Sequence, residues 1–305
     1  MEPIQGEKMK LTLALEWFMN PDHLPFIAGI VLEKYKEAGL EVALVEPKEH
    51  YDGFEALKNG TIDIHVNEPL HLFEHYFDGI KSLGCFFETR GGVMVRASSV
   101  PKLKNGEKIR ITTPAANDVT DKIGFEILKR YGEKNGFEMK RENVEFVQKD
   151  FWHVNNMLED STLDGAWLCF YNFEGIEAKL VGFENLFIDQ LESPYPNFSA
   201  LELMSSQAVL DAKGESICKF LEITNEMVAY LQSHTLEART IYYDYTKTAP
   251  SELMDRIIED TLTRFDTSIK PEGKRWHNLY KFLEELELVR LSDAEYANIW
   301  HVDNH

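Results

Sequence analysis

From Leu11 to Phe87 the chain alternates between short apolar runs and stretches whose apolar residues recur at helical spacing. LTLALEW reads as a strand. PFIAGIVLEKYKEAG reads as a helix closed by Gly39, where the absent Cβ permits a left-handed cap. LEVALVE is a β-rich run, YDGFEALKNG a short helix ending at Gly60, and TIDIHV a strand. EPLHLFEHYFDG is a further helix with Pro69 in its first turn, and IKSLGCFF is a strand. Strand–helix alternation with loops this short predicts a parallel, right-handed α/β sheet.

A second unit of the same kind follows. VMVRAS leads into PKLKNGEKIRITTPA, a strand ending at a turn, and Asn117 or Asp118 caps the helix DKIGFEILKRYGEKNG. VEFVQKD, LDGAWLCFY and FENLFID read as strands, WHVNNMLEDS and GIEAKLVG as helices. From ALELMSS onward the pattern is mostly helical. This predicts an α/β protein of two lobes with a ligand cleft between them and a helical C-terminal tail. Lobe I would take residues 1–95 and 203–305, and lobe II residues 96–202. No Gly/Pro/Ser linker separates them, which favours strand-like hinges.

A length of 305 residues agrees with two domains. The net charge of −20 disfavours a nucleic-acid partner, which needs a basic footprint, and otherwise speaks to solubility. Cys85, Cys169 and Cys218 lack metal-like spacing and are expected as buried free thiols. No apolar run reaches the roughly 18 residues of a membrane span. MEPIQGEKMK has no apolar leader core. Two localisations therefore stay open: periplasmic or cell-surface if a leader was removed, cytoplasmic if this is the full chain.

Catalytic patterns are missing: no GxGxxG follows the first strand, and neither a Walker loop nor a GxSxG elbow occurs. His71 and His75 stand at i, i+4 near Glu68 and Glu74, a spacing that offers zinc one helix face. HLFEH lacks the HExxH order, so an amphipathic helix carrying two histidines is the preferred reading, with neither metal nor cofactor expected. His50, His65 and His153 stand alone and read as surface or core residues.

Four segments at strand ends are richer than connections require. They are Trp17 to His23, with Asn20 between; His65-Val66-Asn67-Glu68; Thr113-Pro114-Ala115-Ala116-Asn117; and Phe170-Tyr171-Asn172-Phe173-Glu174, which Tyr195 and Phe198 are expected to join. Each alone reads equally well as caps and core aromatics. Together they favour one site, because ligands bind at the carboxyl ends of parallel strands. Aromatic faces stack on flat rings, while Asn and carboxylates satisfy ring nitrogens and amines. With no Arg/Lys cluster in view, a small, neutral or cationic, planar heterocycle is the expected partner.

LALEWFMNPDHLPFIAG, GLEVALVEP and LKNGTIDIHV resemble the opening of the NMT1/THI5-like family. That family holds pyrimidine-precursor binding proteins of the ThiY type, sulfonate and nitrate binding proteins, and the fungal thiamine-pyrimidine synthases. Trp17, Asn20 and His23 form a W-x-x-N-x-x-H pattern similar to the pyrimidine branch. KDFWHVNNMLEDSTLDGAWLCFYNFEGIEAKLVG resembles the second lobe of the ThiY type. The likeness covers about residues 9 to 235. It implies a type II periplasmic-binding-protein fold closing on a formylaminopyrimidine or related thiamine precursor, delivered to an ABC importer's permease. Trp17, Asn20, Tyr171, Glu174 and Tyr195 would be pocket residues.

The synthase branch is the rival that the resemblance brings with it. Those enzymes consume their own histidine and bound pyridoxal phosphate. His71 falls where the consumed histidine would fall, but Asn67 stands where they carry the lysine for the aldehyde. Their CCCFC iron motif should appear near Pro194–Leu203, and SPYPNFSALEL contains no cysteine. The expectation is therefore a binding protein, with synthase chemistry as the alternative.

Overall fold

A computed structural model describes residues 9–48 and 51–301, so His50 and the first eight residues lie outside the described residues. Among the described residues there are ten strands: β1 (Met9–Ala14), β2 (Leu40–Val45), β3 (Ile64–Asn67), β4 (Ile80–Glu88), β5 (Gly91–Arg96), β6 (Ile109–Thr113), β7 (Val144–Gln148), β8 (Gly165–Phe170), β9 (Asn185–Ile188) and β10 (Ala200–Ser206). They form two five-stranded sheets, in the orders β2-β1-β3-β10-β4 and β7-β6-β8-β5-β9.

The chain divides into two compact units. The first is Met1–Glu88, Ala200–His277 and Arg290–His305; the second is Thr89–Ser199 and Asn278–Val289. Residues 278–289 thus group with the second unit and not, as expected from sequence, with the first. There the Arg130 guanidinium lies 4.8 Å from the centre of the Phe282 ring and pairs with Glu285 at 3.3 Å.

In the first unit, β1 runs parallel to β2 and β3, whereas β10 runs antiparallel to both β3 and β4. ALELMSS was expected to open the helical tail; it is a strand buried along its whole length. A strand covered on both faces shows no in–out alternation, which is why the pattern did not betray it. The core beneath this sheet is aromatic. Phe26 meets Phe86 at 4.9 Å, Tyr35 stacks on Phe220 at 5.3 Å, and the Tyr35 hydroxyl bonds Thr224 at 2.8 Å. Phe220 belongs to the long helix Gln207–Ser233, whose buried Ile217, Ile223, Met227, Val228 and Leu231 cover the sheet's core. The first predicted helix is broken in two, Leu24–Val31 and Lys34–Glu37, by Glu33 at φ 57°.

In the second unit, β6 runs parallel to β7 and β8, and β5 runs antiparallel to β8 and β9. Both sheets are therefore mixed, with a single reversed strand each, and the all-parallel expectation is corrected to that extent. Cys85 and Cys169 are buried free thiols as expected, but Cys218 is exposed on the outer face of its helix. His153 is fully buried, and desolvation holds its pKa down near 4, so it is a neutral core residue. No helix among the described residues is long and apolar enough to cross a membrane.

Candidate functional site

Strand β1 ends at Ala14, and the chain breaks into the turn 15–20 before the short helix Pro21–His23. Asn20 caps that helix. Its Oδ1 accepts from Asp22 N at 2.9 Å, its Nδ2 donates to Phe18 O at 3.1 Å, and its own N–H donates to His23 Nδ1 at 3.2 Å. Since Nδ1 accepts, Nε2 carries a proton, and it faces the Glu16 carboxylate at 3.0 Å. His23 is fully buried. Burial works to lower its pKa, but the charge and hydrogen bond of Glu16, with Asp22 and Glu46 behind, outweigh burial and raise it. Asn20 and His23 are thus spent on holding the turn. Trp17, by contrast, is 39% exposed, and its ring sits 5.4 Å from that of Phe18, itself 54% exposed. Phe18 and Met19 line a recess with Glu46, Tyr245, Thr246 and Thr248.

The neighbouring strand carries the next group. The pairing Ala14↔His65 sets β3 beside β1, so Trp17 and Glu68 each follow three residues after a register pair. His65 Nδ1 donates to Ala14 O at 3.2 Å, and Asn67 Nδ2 donates to His65 Nε2 at 3.1 Å. Burial pushes the His65 pKa down to about 4, in keeping with a neutral ring held as one tautomer. Its ring occupies the space a side chain at Gly53 would need: a Cβ there would lie 2.3 Å from the imidazole. Asn67 Oδ1 accepts from Glu68 N at 2.8 Å, so this amide too braces the strand end. Burial pushes the Glu68 carboxyl up to about 7, against the pull of His71.

In the second unit, Thr113 is the last residue of β6 and Tyr171 follows the end of β8, its parallel neighbour. Thr113 is fully buried, and its hydroxyl accepts from Ala115 N at 3.4 Å. Asn117 caps the helix Asp118–Lys134 through Val119 N and Thr120 N at 3.1 and 3.0 Å. Tyr171 opens a wide turn, Tyr171–Gly175, and the buried Glu174 closes it by accepting from Phe170 N at 2.7 Å. Tyr195 is buried, its hydroxyl donating to Gly91 O. Most of the polar groups singled out by sequence therefore make bonds within their own turns.

Two residues escaped the sequence reading. Glu16, at a strand end, looks like a solvated charge, and only the fold sets it under His23. Arg90 lies 3.8 Å from the centre of the Tyr171 ring and pairs with the buried Asp189 at 3.0 Å. The expectation was that no Arg/Lys cluster accompanies the aromatic residues, and Arg90 is a single cation beside Tyr171. Its charge is already matched by Asp189, so it does not by itself call for an anion.

The sequence profile described as NMT1/THI5 like matches residues 20–238. A putative thiamine biosynthesis protein of Haemophilus influenzae is 22% identical over 298 residues, covering 95% of this chain and 92% of its own. The 4-amino-5-hydroxymethyl-2-methylpyrimidine phosphate synthase of Legionella pneumophila is 21% identical over 289 residues, covering 92% and 88%. Among solved structures, the alkanesulfonate-binding protein SsuA of Xanthomonas axonopodis pv. citri, bound to MOPS, superposes with a TM-score of 0.65 at 13% identity, covering 96% of each chain. That likeness shows the fold, the type II periplasmic-binding-protein fold that the resemblance implied. With its profile match spanning most of its length, this chain belongs to the NMT1/THI5-like family.

Proposed function

We propose that this chain is a solute-binding protein for a thiamine pyrimidine precursor, a formylaminopyrimidine or its hydroxymethyl relative, which it hands to an ABC importer. The observation that carries the reading is the register of β1 and β3, since Trp17, which is exposed, and Glu68 each stand three residues along the chain from the Ala14↔His65 pair. An aromatic plate and a carboxyl are what an aminopyrimidine requires: a face to stack on, and a partner for a ring nitrogen and its exocyclic amine. Asn20, His23 and Asn67 position those two groups. Within the second unit, Thr113, Asn117, Tyr171, Glu174 and Tyr195 are the residues proposed to contact ligand. Calorimetry against aminopyrimidines, taurine, nitrate and pyridoxal phosphate tests it. Aminopyrimidine binding between micromolar and nanomolar, about −8 to −12 kcal/mol, is expected. Tight taurine or nitrate binding with no pyrimidine heat would overturn it.

A second reading has support in the relatives named as pyrimidine phosphate synthases. It requires an amine where Asn67 stands and an iron motif where SPYPNFSALEL stands. Incubation with pyridoxal phosphate and ferrous iron followed by intact-mass measurement separates the two. An unchanged mass supports the binding protein, and loss of a histidine fragment at His71 establishes the synthase.

A further inference from the structure

Past Glu68 the chain enters the helix Pro69–Glu74, and His75 caps it. HLFEH read from sequence as a surface helix with two histidines, but the folded helix brings their nitrogens to one carboxylate. His71 Nδ1 lies 2.8 Å from Glu74 Oε2, and His75 Nε2 lies 3.8 Å from the same oxygen. One donor atom from each of the three residues falls within 4.8 Å of the others, the one such grouping of three among the described residues.

We propose that His71, Glu74 and His75 form a binding site for a divalent transition-metal ion of the zinc class, with a fourth position open to solvent. Zinc takes imidazole nitrogen and carboxylate oxygen at about 2.0–2.2 Å, so tetrahedral donors lie roughly 3.3–3.5 Å apart. Reaching that spacing asks the 2.8 Å contact to open and the wider ones to close, within reach of side-chain torsions on partly exposed residues. Two neighbours already orient the rings. Phe54 stacks on His75 at 4.8 Å and 17°, fixing its plane. The Glu68 carboxylate stands 3.9 Å from His71 Nε2, on the side away from Glu74. A carboxylate behind the far nitrogen of a ligating imidazole keeps the proton there and leaves the near nitrogen free for the metal. Two nitrogens and one oxygen favour zinc, copper or cobalt over magnesium and calcium, which ask for oxygen throughout. The buried pair His23–Glu16 is the contrast: it has a single imidazole with no exposure.

The test uses untagged, chelator-treated protein, without pyridoxal phosphate or pyrimidine. Co²⁺ is followed by its visible absorption, and Zn²⁺ by competition with a chromophoric chelator, both in excess Mg²⁺. One ion per chain is expected. His71→Gln and His75→Gln should each weaken binding at least tenfold, Glu74→Gln should weaken it too, and His234→Gln should leave it unchanged. Zn²⁺ should raise the melting temperature of the wild type and not of His75→Gln, with metal-free melts showing that each variant folds. Binding well below one ion per chain, displacement by Mg²⁺, or wild-type affinity in the three site variants would overturn the proposal.

Discussion

At the scale of single residues, Trp17 and Glu202 make opposite use of exposure. Trp17→Ala should weaken pyrimidine binding by roughly 2 kcal/mol or more, as for an aromatic anchor. The unliganded protein should lose far less than the roughly 3–5 kcal/mol of a core Trp→Ala cavity, because the ring is already partly in water. Paired melts, with and without ligand, check both halves, and a large loss without ligand would make Trp17 a core residue. Glu202 lies on β10, between β3 and β4 in the first unit's sheet, fully buried, accepting from the Ser82 hydroxyl and from Trp276 Nε1 at 3.0 Å. Desolvation raises its pKa from 4.5 to about 7 despite those bonds. An acid raised in the folded state stabilises fully below its unfolded pKa, and that contribution is lost as pH climbs through the folded value. Between about pH 4.5 and 7 this amounts to roughly 3 kcal/mol. Denaturant melts across pH 5 to 8.5 should show the wild type weakening relative to Glu202→Gln, whose amide carries no charge. Parallel curves would mean the carboxylate is already ionised at acid pH.

At the scale of elements, the turn after β1 depends on a cap and a buried pair. Asn20→Ala removes the cap and should cost about 1 kcal/mol, read as a lower melting temperature, with Asn20→Asp restoring most of it. His23 adds a pH dependence of the same sign as Glu202: Glu16, Asp22 and Glu46 raise its pKa against burial, at the cost of the bond that neutral Nδ1 accepts from Asn20, giving stability present below about 6.5 and lost as pH rises through the folded value. His23→Gln should flatten that part of the curve, and no change in slope would show the imidazole to be neutral throughout. Much at this scale was legible. The crowded turn, the Asn117 cap and eight of the ten strands described announce themselves by period and by cap chemistry. What was not legible shares one cause. β10 has no polar face to alternate, and Arg90 finds Tyr171 and Asp189 across 81 and 99 residues, a distance over which no local pattern operates. The strand ends were found correctly, but the sequence could not say that Asn20, Asn67 and Asn117 would turn their amides onto their own backbone.

At the scale of the molecule, the charge of −20 is spread over a chain that pairs many of its carboxylates locally. Repulsion among the remainder opposes the compact state and is screened beyond about 10 Å at 0.1 M salt. The melting temperature at pH 8 should therefore rise by a few degrees on going from very low salt to about 0.5 M sodium chloride. A fall would mean that the surface ion pairs outweigh the net repulsion. The fold class was readable at this scale because strand and helix alternate twice, while the allocation of residues 278–289 was not, since it rests on Arg130 meeting Phe282 and Glu285.

The placement of β10 has a consequence for how the protein is made. It is hydrogen-bonded between β3 and β4, yet it is synthesised more than a hundred residues after either of them. As the nascent chain leaves the ribosome, the first 88 residues emerge with the facing edges of β3 and β4 open, and they stay open until residues 200–206 arrive. Open strand edges invite pairing with other chains, and contacts so distant in sequence form slowly. The second unit's main segment, Thr89–Ser199, is complete before the first unit's sheet can close. The N-terminal portion of this chain is thus the part most in need of a chaperone, and its period of need ends when Ser206 clears the exit tunnel.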